Sequence, residues 1–314
     1  MKQFLFGTLL VMGAMLTVTA CKDDEETPKN IVELAQSNAN LSILVDAVVY
    51  TDLAATLSGT TEYTVFAPTN AAFTALLQSL GVAKITDVDK ATVKAILLNH
   101  VVAGEVKSGA ITTGYVKSLS PFGATTSTLS LYIAKSGSNV TVNKDVNVTT
   151  ADLDASNGVV HVVDKVITLP TIVNHALNNP NFSTLVAALT RSDLGVDYVT
   201  ILSGAGPFTV FAPTNDAFAA LLTELSAPNL AAIDAATLNK VLQYHVVSGA
   251  NVLAATLTEG QQVTTFQGGK FTINLAGGAK IKDLNNRTSN IIVTDVQGSN
   301  GVVHAIDKVL LPTL

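Results

Sequence analysis

The sequence predicts an α+β protein built from two copies of one domain. Three sequence blocks occur twice in the same order, at offsets of 145, 145 and 143 residues, and the longest keeps 12 of 15 positions identical. A period this long indicates duplicated domains, because solenoid repeats are only about 20–50 residues long. The three pairs of blocks are residues 63–77 and 208–222, 100–104 and 245–249, and 157–167 and 300–310.

We place the two domains at residues 30–169 and 170–314. A domain of this size buries roughly two-thirds of the surface that its unfolded chain exposes, so each copy can form its own core. The junction Leu169-Pro170-Thr171 is short. We therefore expect the domains to contact each other rather than move freely. His175, close to this junction, is expected at a surface or at the domain interface.

The first part of each domain has the spacing of helices around one buried strand. Residues 64–67 form an apolar run that ends at Pro68, which favours a strand ending there. Thr69 is then predicted to cap the N-terminus of the next helix, and Gly81 to end it. Thr214 has the position of Thr69 in the second copy. The apolar positions at helical spacing include Leu41, Leu44, Val45, Val48, Phe73, Leu76, Leu77 and Leu80.

The second part of each domain has the pattern of strands and hairpins. After His100 the chain shows short alternating runs such as residues 140–142, broken by Gly, Ser and Asn. Asn157-Gly158 and Asn300-Gly301 are typical of type I′ hairpin turns. Because helices and strands are segregated along the chain, the fold class is α+β.

The composition excludes several classes of function. The 314 residues carry a net charge of −6, and only 13% of them are charged. No cluster of Lys and Arg provides the basic surface of a nucleic-acid-binding protein. The single cysteine, Cys21, excludes an intrachain disulfide and a cysteine-based zinc cluster. We predict no metal and no cofactor.

Residues 1–21 have the features of a targeting segment. Lys2 is followed by the mostly apolar, uncharged residues 4–20, and small residues precede Cys21, as in a secretory signal peptide. The arrangement resembles the lipobox of bacterial lipoproteins, which implies that Cys21 is lipidated. A plain secretory signal and an uncleaved anchor are the alternatives.

Residues 22–29 are predicted to be an acidic tether. Four consecutive carboxylates, residues 23–26, favour a solvated segment, and Pro28 opposes a helix. The run resembles the signal that exports some Gram-negative lipoproteins to the outside of the outer membrane. We therefore expect a lipid-anchored protein of the bacterial outer membrane that faces the exterior, with the periplasmic face as the alternative.

The duplicated blocks together resemble the fasciclin domain. They read Thr-Val-Phe-Ala-Pro-Thr-Asn, His-Val-Val, and Asn-Gly-Val-Val-His followed by Asp-Lys-Val, and they cover both domains. The resemblance implies a β-wedge or sandwich packed against several helices, and a role in adhesion. In some animal members a Tyr-His pair is linked to integrin contact. Here the second domain has Tyr244-His245, whereas the first has Asn99-His100.

The candidate binding residues have a structural interpretation beside the functional one. His100 and His245 end apolar helix faces, which favours neutral core histidines over ligands. Thr69-Asn70 and Thr214-Asn215 are predicted helix caps, and the alternative is a polar binding surface. No nucleophile elbow, dinucleotide fingerprint or phosphate-binding loop occurs, so we predict no enzyme. These eight residues, Thr69, Asn70, Asn99, His100, Thr214, Asn215, Tyr244 and His245, are the candidates for partner binding.

The predicted function is non-catalytic adhesion or binding at the cell surface. The expected partners are extracellular matrix proteins, cell-surface proteins or glycans, with membrane contact only through the N-terminal lipid. Two domains on one tether favour multivalent binding, and self-association is left open. The alternative function is capture of glycans or small solutes for an outer-membrane uptake system.

Overall fold

The computed structural model describes residues 27–313. The predicted signal peptide, the lipidation site Cys21 and most of the acidic tether lie outside the described residues, so these predictions stay untested. No helix within residues 27–313 is both long enough and apolar enough to cross a membrane.

The two domains have the same order of elements, one for one, with five helices and seven strands in each described copy. The first contains α1 (Ile31–Gln36), α2 (Ser42–Tyr50), α3 (Ala54–Leu57), β1 (Tyr63–Pro68), α4 (Asn70–Leu80), α5 (Lys90–Asn99), β2 (Val101–Ala103), β3 (Gly114–Pro121), β4 (Thr128–Ser136), β5 (Asn139–Val142), β6 (Val146–Ala155) and β7 (Gly158–Val163). The second contains α6 (Ile172–Asn178), α7 (Ser183–Leu189), α8 (Tyr198–Ser203), β8 (Phe208–Pro213), α9 (Asn215–Glu224), α10 (Ala235–Tyr244), β9 (Val246–Ser248), β10 (Gln262–Thr264), β11 (Lys270–Asn274), β12 (Lys280–Lys282), β13 (Thr288–Gly298) and β14 (Gly301–Ile306).

The strands are arranged around one central strand in each domain. Strand β1 pairs antiparallel with β2 and parallel with β7, and β8 pairs in the same way with β9 and β14. In the first domain the seven strands close into a barrel, whereas in the second they form a sheet with β10 and β9 at its edges. The α+β class and the duplication are confirmed, and closure into a barrel adds to the expected β-wedge.

Each domain buries two apolar clusters. One lies between the helices and the sheet, and includes Phe73 in the first domain and Phe218 in the second. The other lies on the opposite side of the central strand, where Phe66 and Phe211 are buried. The central strands therefore contribute side chains to both clusters, which explains why β1 is buried along its whole length.

The hairpin predicted at Asn157-Gly158 is present, but the predicted turn type is wrong. The two loop residues are Ser156 and Asn157, and Gly158 already pairs with Ala155 as the first residue of β7. Neither loop residue has the positive φ that a type I′ turn requires. The reason is that Asn157 is buried and bonds elsewhere in the domain: its Oδ1 accepts from the N–H of Ile31 at 2.9 Å, and its Nδ2 donates to two carbonyls of the α3 region.

Gly158 is required for a different reason. Its φ of +138° lies in the region that favours glycine, and a Cβ atom there would collide with the backbone of Tyr63 on β1. Gly301 has the same relation to Phe208. The Asn-Gly signature therefore reports close approach of parallel strands rather than a tight turn.

The two domains contact each other directly, as expected from the short junction. Strands β3 and β4 of the first domain face α6 and β13 of the second. The Tyr115 hydroxyl donates to the carbonyl of His175 at 3.3 Å, and the Gln297 N–H donates to Ser130 Oγ at 3.0 Å. Lys117 Nζ donates to the carbonyl of Asp295. His175 is fully buried in this interface, with its ring edge-on to Tyr115.

Candidate functional site

The polar loops after the central strands are helix caps in both domains. Thr69 Oγ1 accepts from the N–H of Ala72 at 3.2 Å, and Thr214 Oγ1 accepts from the N–H of Ala217 at 3.3 Å. Both threonines have extended backbones, as N-cap residues do. The capping prediction is confirmed for Thr69 and Thr214, and Gly81 ends α4 in the left-handed conformation as predicted.

The asparagines beside the caps tie neighbouring helices together. Asn70 Oδ1 accepts from the N–H of Ile43, and its Nδ2 donates to the carbonyl of Ala39, both at 2.9 Å. Asn215 makes the same pair of contacts in the second domain, with the N–H of Thr184 and the carbonyl of Pro180. The sequence carries a signal for this role. Both domains have asparagine at this position, Asn70 and Asn215, whereas the residue that follows differs, Ala71 in the first domain and Asp216 in the second. The partner-binding role of these loops stays a prediction.

His100 and His245 are core residues, as their helical position predicted. His100 Nδ1 donates to the carbonyl of Ile96 at 2.8 Å, and its Nε2 accepts from the N–H of Ile167 at 2.8 Å. His245 repeats this arrangement with the carbonyl of Val241 and the N–H of Leu310. Burial lowers the pKa of both imidazoles to about 4. Each ring is therefore neutral and joins a helix end to the segment after the last strand.

The residues before these histidines differ between the copies but are buried in both. Tyr244 donates its hydroxyl to the carbonyl of Lys270 at 2.7 Å, and burial raises its pKa to about 12. Asn99 accepts from Ser118 Oγ at 2.9 Å and donates to the carbonyl of Thr168. Asn99, His100, Tyr244 and His245 are at most 3% exposed. A partner therefore cannot contact these side chains directly, and replacing them would affect binding only by changing the fold. Their predicted role in partner binding is otherwise untested.

The other two histidines at corresponding positions of the two domains, His161 and His304, also hydrogen-bond to main-chain groups within the fold. His161 on β7 has its Nε2 3.0 Å from the carbonyl of Val106, and His304 on β14 has its Nε2 2.8 Å from the carbonyl of Val252. Each ring lies against a core phenylalanine, Phe66 or Phe211. Within residues 27–313, no group of three or more His, Cys, Asp or Glu side chains is placed to hold a metal ion.

Two neighbouring cavities at the domain junction share Asn178 in their linings, and together we call them the junction groove. Its polar lobe is a cavity of about 230 Å³ and its apolar lobe is a cavity of about 460 Å³. Asn178, at the end of α6, lines both lobes. The polar lobe is lined by Asn143, Asp145, Lys165, Thr168, Asn174 and Asn178, and the apolar lobe includes Tyr132, Ala134, Leu177, Pro180 and Val186.

Fold and sites together define a duplicated α+β protein in which polar side chains at matching positions stabilise each domain. The family model of the fasciclin domain matches residues 39–170 and again residues 180–312. The chain therefore belongs to the fasciclin domain family. Domains of this family are typical of cell-surface and adhesion proteins, and a non-catalytic adhesion role fits this chain.

Similar proteins come from bacteria and animals. Protein sll1483 of Synechocystis is 46% identical over 144 residues, which cover 46% of this chain and 74% of that protein. Cell surface glycolipoprotein MPB83 of Mycobacterium bovis is 35% identical over 146 residues, 45% of this chain and 60% of that protein. Transforming growth factor-beta-induced protein ig-h3 of Sus scrofa is 29% identical over 267 residues, 82% of this chain but 35% of that protein.

A solved structure of a domain pair is also similar. The pair of FAS1 domains from the insect cell adhesion molecule fasciclin I covers 89% of this chain and 95% of its own, at 21% sequence identity and a TM-score of 0.48.

Proposed function

We propose that this chain is a lipid-anchored adhesion protein of the cell surface, whose two fasciclin domains bind extracellular protein or glycan partners without catalysis. The observation that carries the proposal is the pair of fasciclin domains joined by a direct interface. Joined domains present their surfaces in one orientation, which favours simultaneous engagement of a partner.

The absence of catalysis in this proposal is supported by where the five histidines lie. His100, His161, His175, His245 and His304 each use a ring nitrogen on a main-chain group and are buried. A general base must reach the proton that it removes from a substrate. These imidazoles face the core and are therefore poorly placed for such chemistry.

The partner class is tested by binding of the purified full chain to an array of matrix and cell-surface proteins, with bovine serum albumin as the control surface. Saturable binding to one or more of these proteins supports the proposal. Hydrolysis or transfer activity toward any arrayed partner, or the lack of binding to all proteins and glycans, contradicts it.

The lipid anchor is proposed from Cys21 and from the acidic residues that follow it. Support comes from MPB83, whose name describes a cell surface glycolipoprotein. Replacing Cys21 by alanine should move the protein from the membrane fraction to the soluble fraction, because several acyl chains give stable anchoring. Protease treatment of intact cells tests display on the outer face of the outer membrane. A membrane-bound Cys21→Ala protein contradicts the lipid anchor, and an uncleaved protein contradicts outward display.

Capture of glycans is the second candidate function, and the junction groove is the observation that favours it. Ligand clefts occur preferentially at domain interfaces and span about 300–1,000 Å³, a range that includes the 460 Å³ apolar lobe. Equilibrium binding of oligosaccharides to the full chain tests this function, and saturable binding supports it. Lack of binding to any tested glycan contradicts it.

A further inference from the structure

We propose that the junction groove is a binding site for a neutral oligosaccharide, with one sugar ring over the apolar lobe and the next ring in the polar lobe. The proposal rests on the second candidate function above and names its site. Neither domain forms the groove alone: Tyr132, Ala134 and Lys144 come from the first domain, and Leu177, Asn178 and Pro180 come from the second.

The polar lobe offers amide groups that the fold leaves unused. The side chain of Asn178 has no hydrogen bond with any residue in the described part of the chain, and it lies where the two lobes meet. Asn174, one helical turn earlier, uses its Oδ1 for the N–H and the hydroxyl of Thr171, so its Nδ2 is available to a ligand. Amides at this spacing lie on one face of α6 and can donate to and accept from sugar hydroxyls.

Both lysines at the groove have a polar partner within the fold. Lys165 Nζ lies 3.9 Å from Asp145 Oδ2 at the polar lobe. Lys144 Nζ lies 3.5 Å from the carbonyl of Leu177 in the last turn of α6, where a cation is favoured by the helix dipole. The unused amides of Asn174 and Asn178 and the apolar lobe carry no charge, so they match a neutral polyhydroxylated ligand.

The apolar lobe suits the C–H face of a sugar ring. Leu177 exposes 41% of its surface although it belongs to α6, and it lines the lobe together with Pro180 and Val186. A sugar ring has an apolar face beside its hydroxyl groups, so a lobe of this kind next to an amide-lined lobe matches its two surfaces.

A peptide is a weaker match to the same groove. Peptides commonly bind by adding a strand to an open sheet edge. The strands of the first domain at the groove, β4 and β5, are paired on both sides within the closed barrel. The groove therefore offers side-chain amides but no free strand edge.

The test is equilibrium binding of neutral hexose and pentose oligosaccharides, acidic oligosaccharides and a peptide library to the full chain purified in detergent. Asn178→Leu removes the shared amide, and Ala134→Phe fills the apolar lobe. Asn40→Leu is the matched control, because Asn40 is an exposed asparagine of the first domain away from the groove. Thermal unfolding of every variant checks that the fold is kept.

We expect saturable binding of at least one neutral oligosaccharide, weakened about tenfold or more by each groove variant and unchanged by Asn40→Leu. Binding only of acidic sugars or peptides, or binding that both groove variants leave unchanged, overturns the proposal. Binding of the same variants to protein partners is measured in parallel. Loss of sugar binding with intact protein binding assigns the groove to sugar, and protein binding without any sugar binding refutes the groove while leaving the adhesion function in place.

Discussion

Replacing Asn157 by aspartate separates two explanations of the Asn-Gly signature. In a type I′ turn, aspartate before glycine is nearly as favourable as asparagine. In the structure, Asn157 Nδ2 instead donates to the carbonyls of Leu57 and Gly59, both at 2.8 Å, and the side chain is 4% exposed. A carboxylate there would place an oxygen against two carbonyl oxygens, while the N–H of Ile31 would keep its acceptor.

The expected loss of folding stability follows from the two hydrogen bonds that the Asn157 amide group no longer donates. Each buried carbonyl left without a partner costs about 1–3 kcal/mol, so the first domain should lose about 3 kcal/mol or more. A loss of this size lowers the melting temperature of a domain of this length by about 10 °C. Asn300→Asp should destabilise the second domain in the same direction but by less, because Asn300 is half-buried and its contact with the carbonyl of Gly204 is exposed to solvent.

Differential scanning calorimetry of the full chain and urea unfolding measure this effect, with the exposed Asn40→Asp as the control. Asn157→Asp should lower the transition of the first domain, and Asn300→Asp that of the second. A change in unfolding free energy below about 1 kcal/mol, the size expected for a single exposed hydrogen bond, would refute the buried role of Asn157 and restore the turn explanation.

Three further predictions concern the caps, pH and the domain interface. Thr69→Ala should lower the unfolding free energy of the first domain by about 1 kcal/mol in urea titration, whereas Thr69→Ser should keep most of it; equal losses would contradict the cap. Burial lowers the pKa of His100, His175 and His245 to about 4. Between this value and the ordinary pKa of about 6.5 the unfolded chain binds more protons than the folded chain. The free energy of unfolding is therefore highest above pH 6.5 and falls as the pH drops toward 4. Each histidine should remove about 2 kcal/mol between pH 7.5 and 5; stability that is flat over this range would show that these imidazoles titrate normally. Tyr115→Ala removes the hydroxyl contact with His175 and its aromatic packing, so the two domain transitions should move apart in calorimetry, and an unchanged trace would mean that the interface does not couple them.

Features that depend on neighbouring residues were predictable from the sequence. A threonine cap bonds to an N–H three residues later, and a histidine at the end of an apolar helix face is carried into the core by the helical period. The duplication was visible because the same blocks return in the same order. These features explain why the order of helices and strands agrees with the prediction in both domains.

Features that depend on distant residues were not predictable in the same way. Asn157 was interpreted as a turn residue because its partners, at Ile31, Leu57 and Gly59, lie about 100 or more residues away. The role of Asn70 was missed because it bonds to a helix start 27 residues earlier. The domain interface was not predictable either. Tyr115 of the first domain bonds to the carbonyl of His175 in the second, and no sequence pattern connects these two residues.

Local spacing and repetition in the sequence were enough to predict the fold class, the two domains, the threonine caps and the neutral core histidines. The parallel pairing of β1 with β7, the closure of the first domain into a barrel and the contact between the domains are visible only in the folded protein. The junction groove exists because side chains of α6 line one cavity together with side chains of β4 and β5. That contact depends on the register and packing of residues far apart in the chain, which no local pattern encodes.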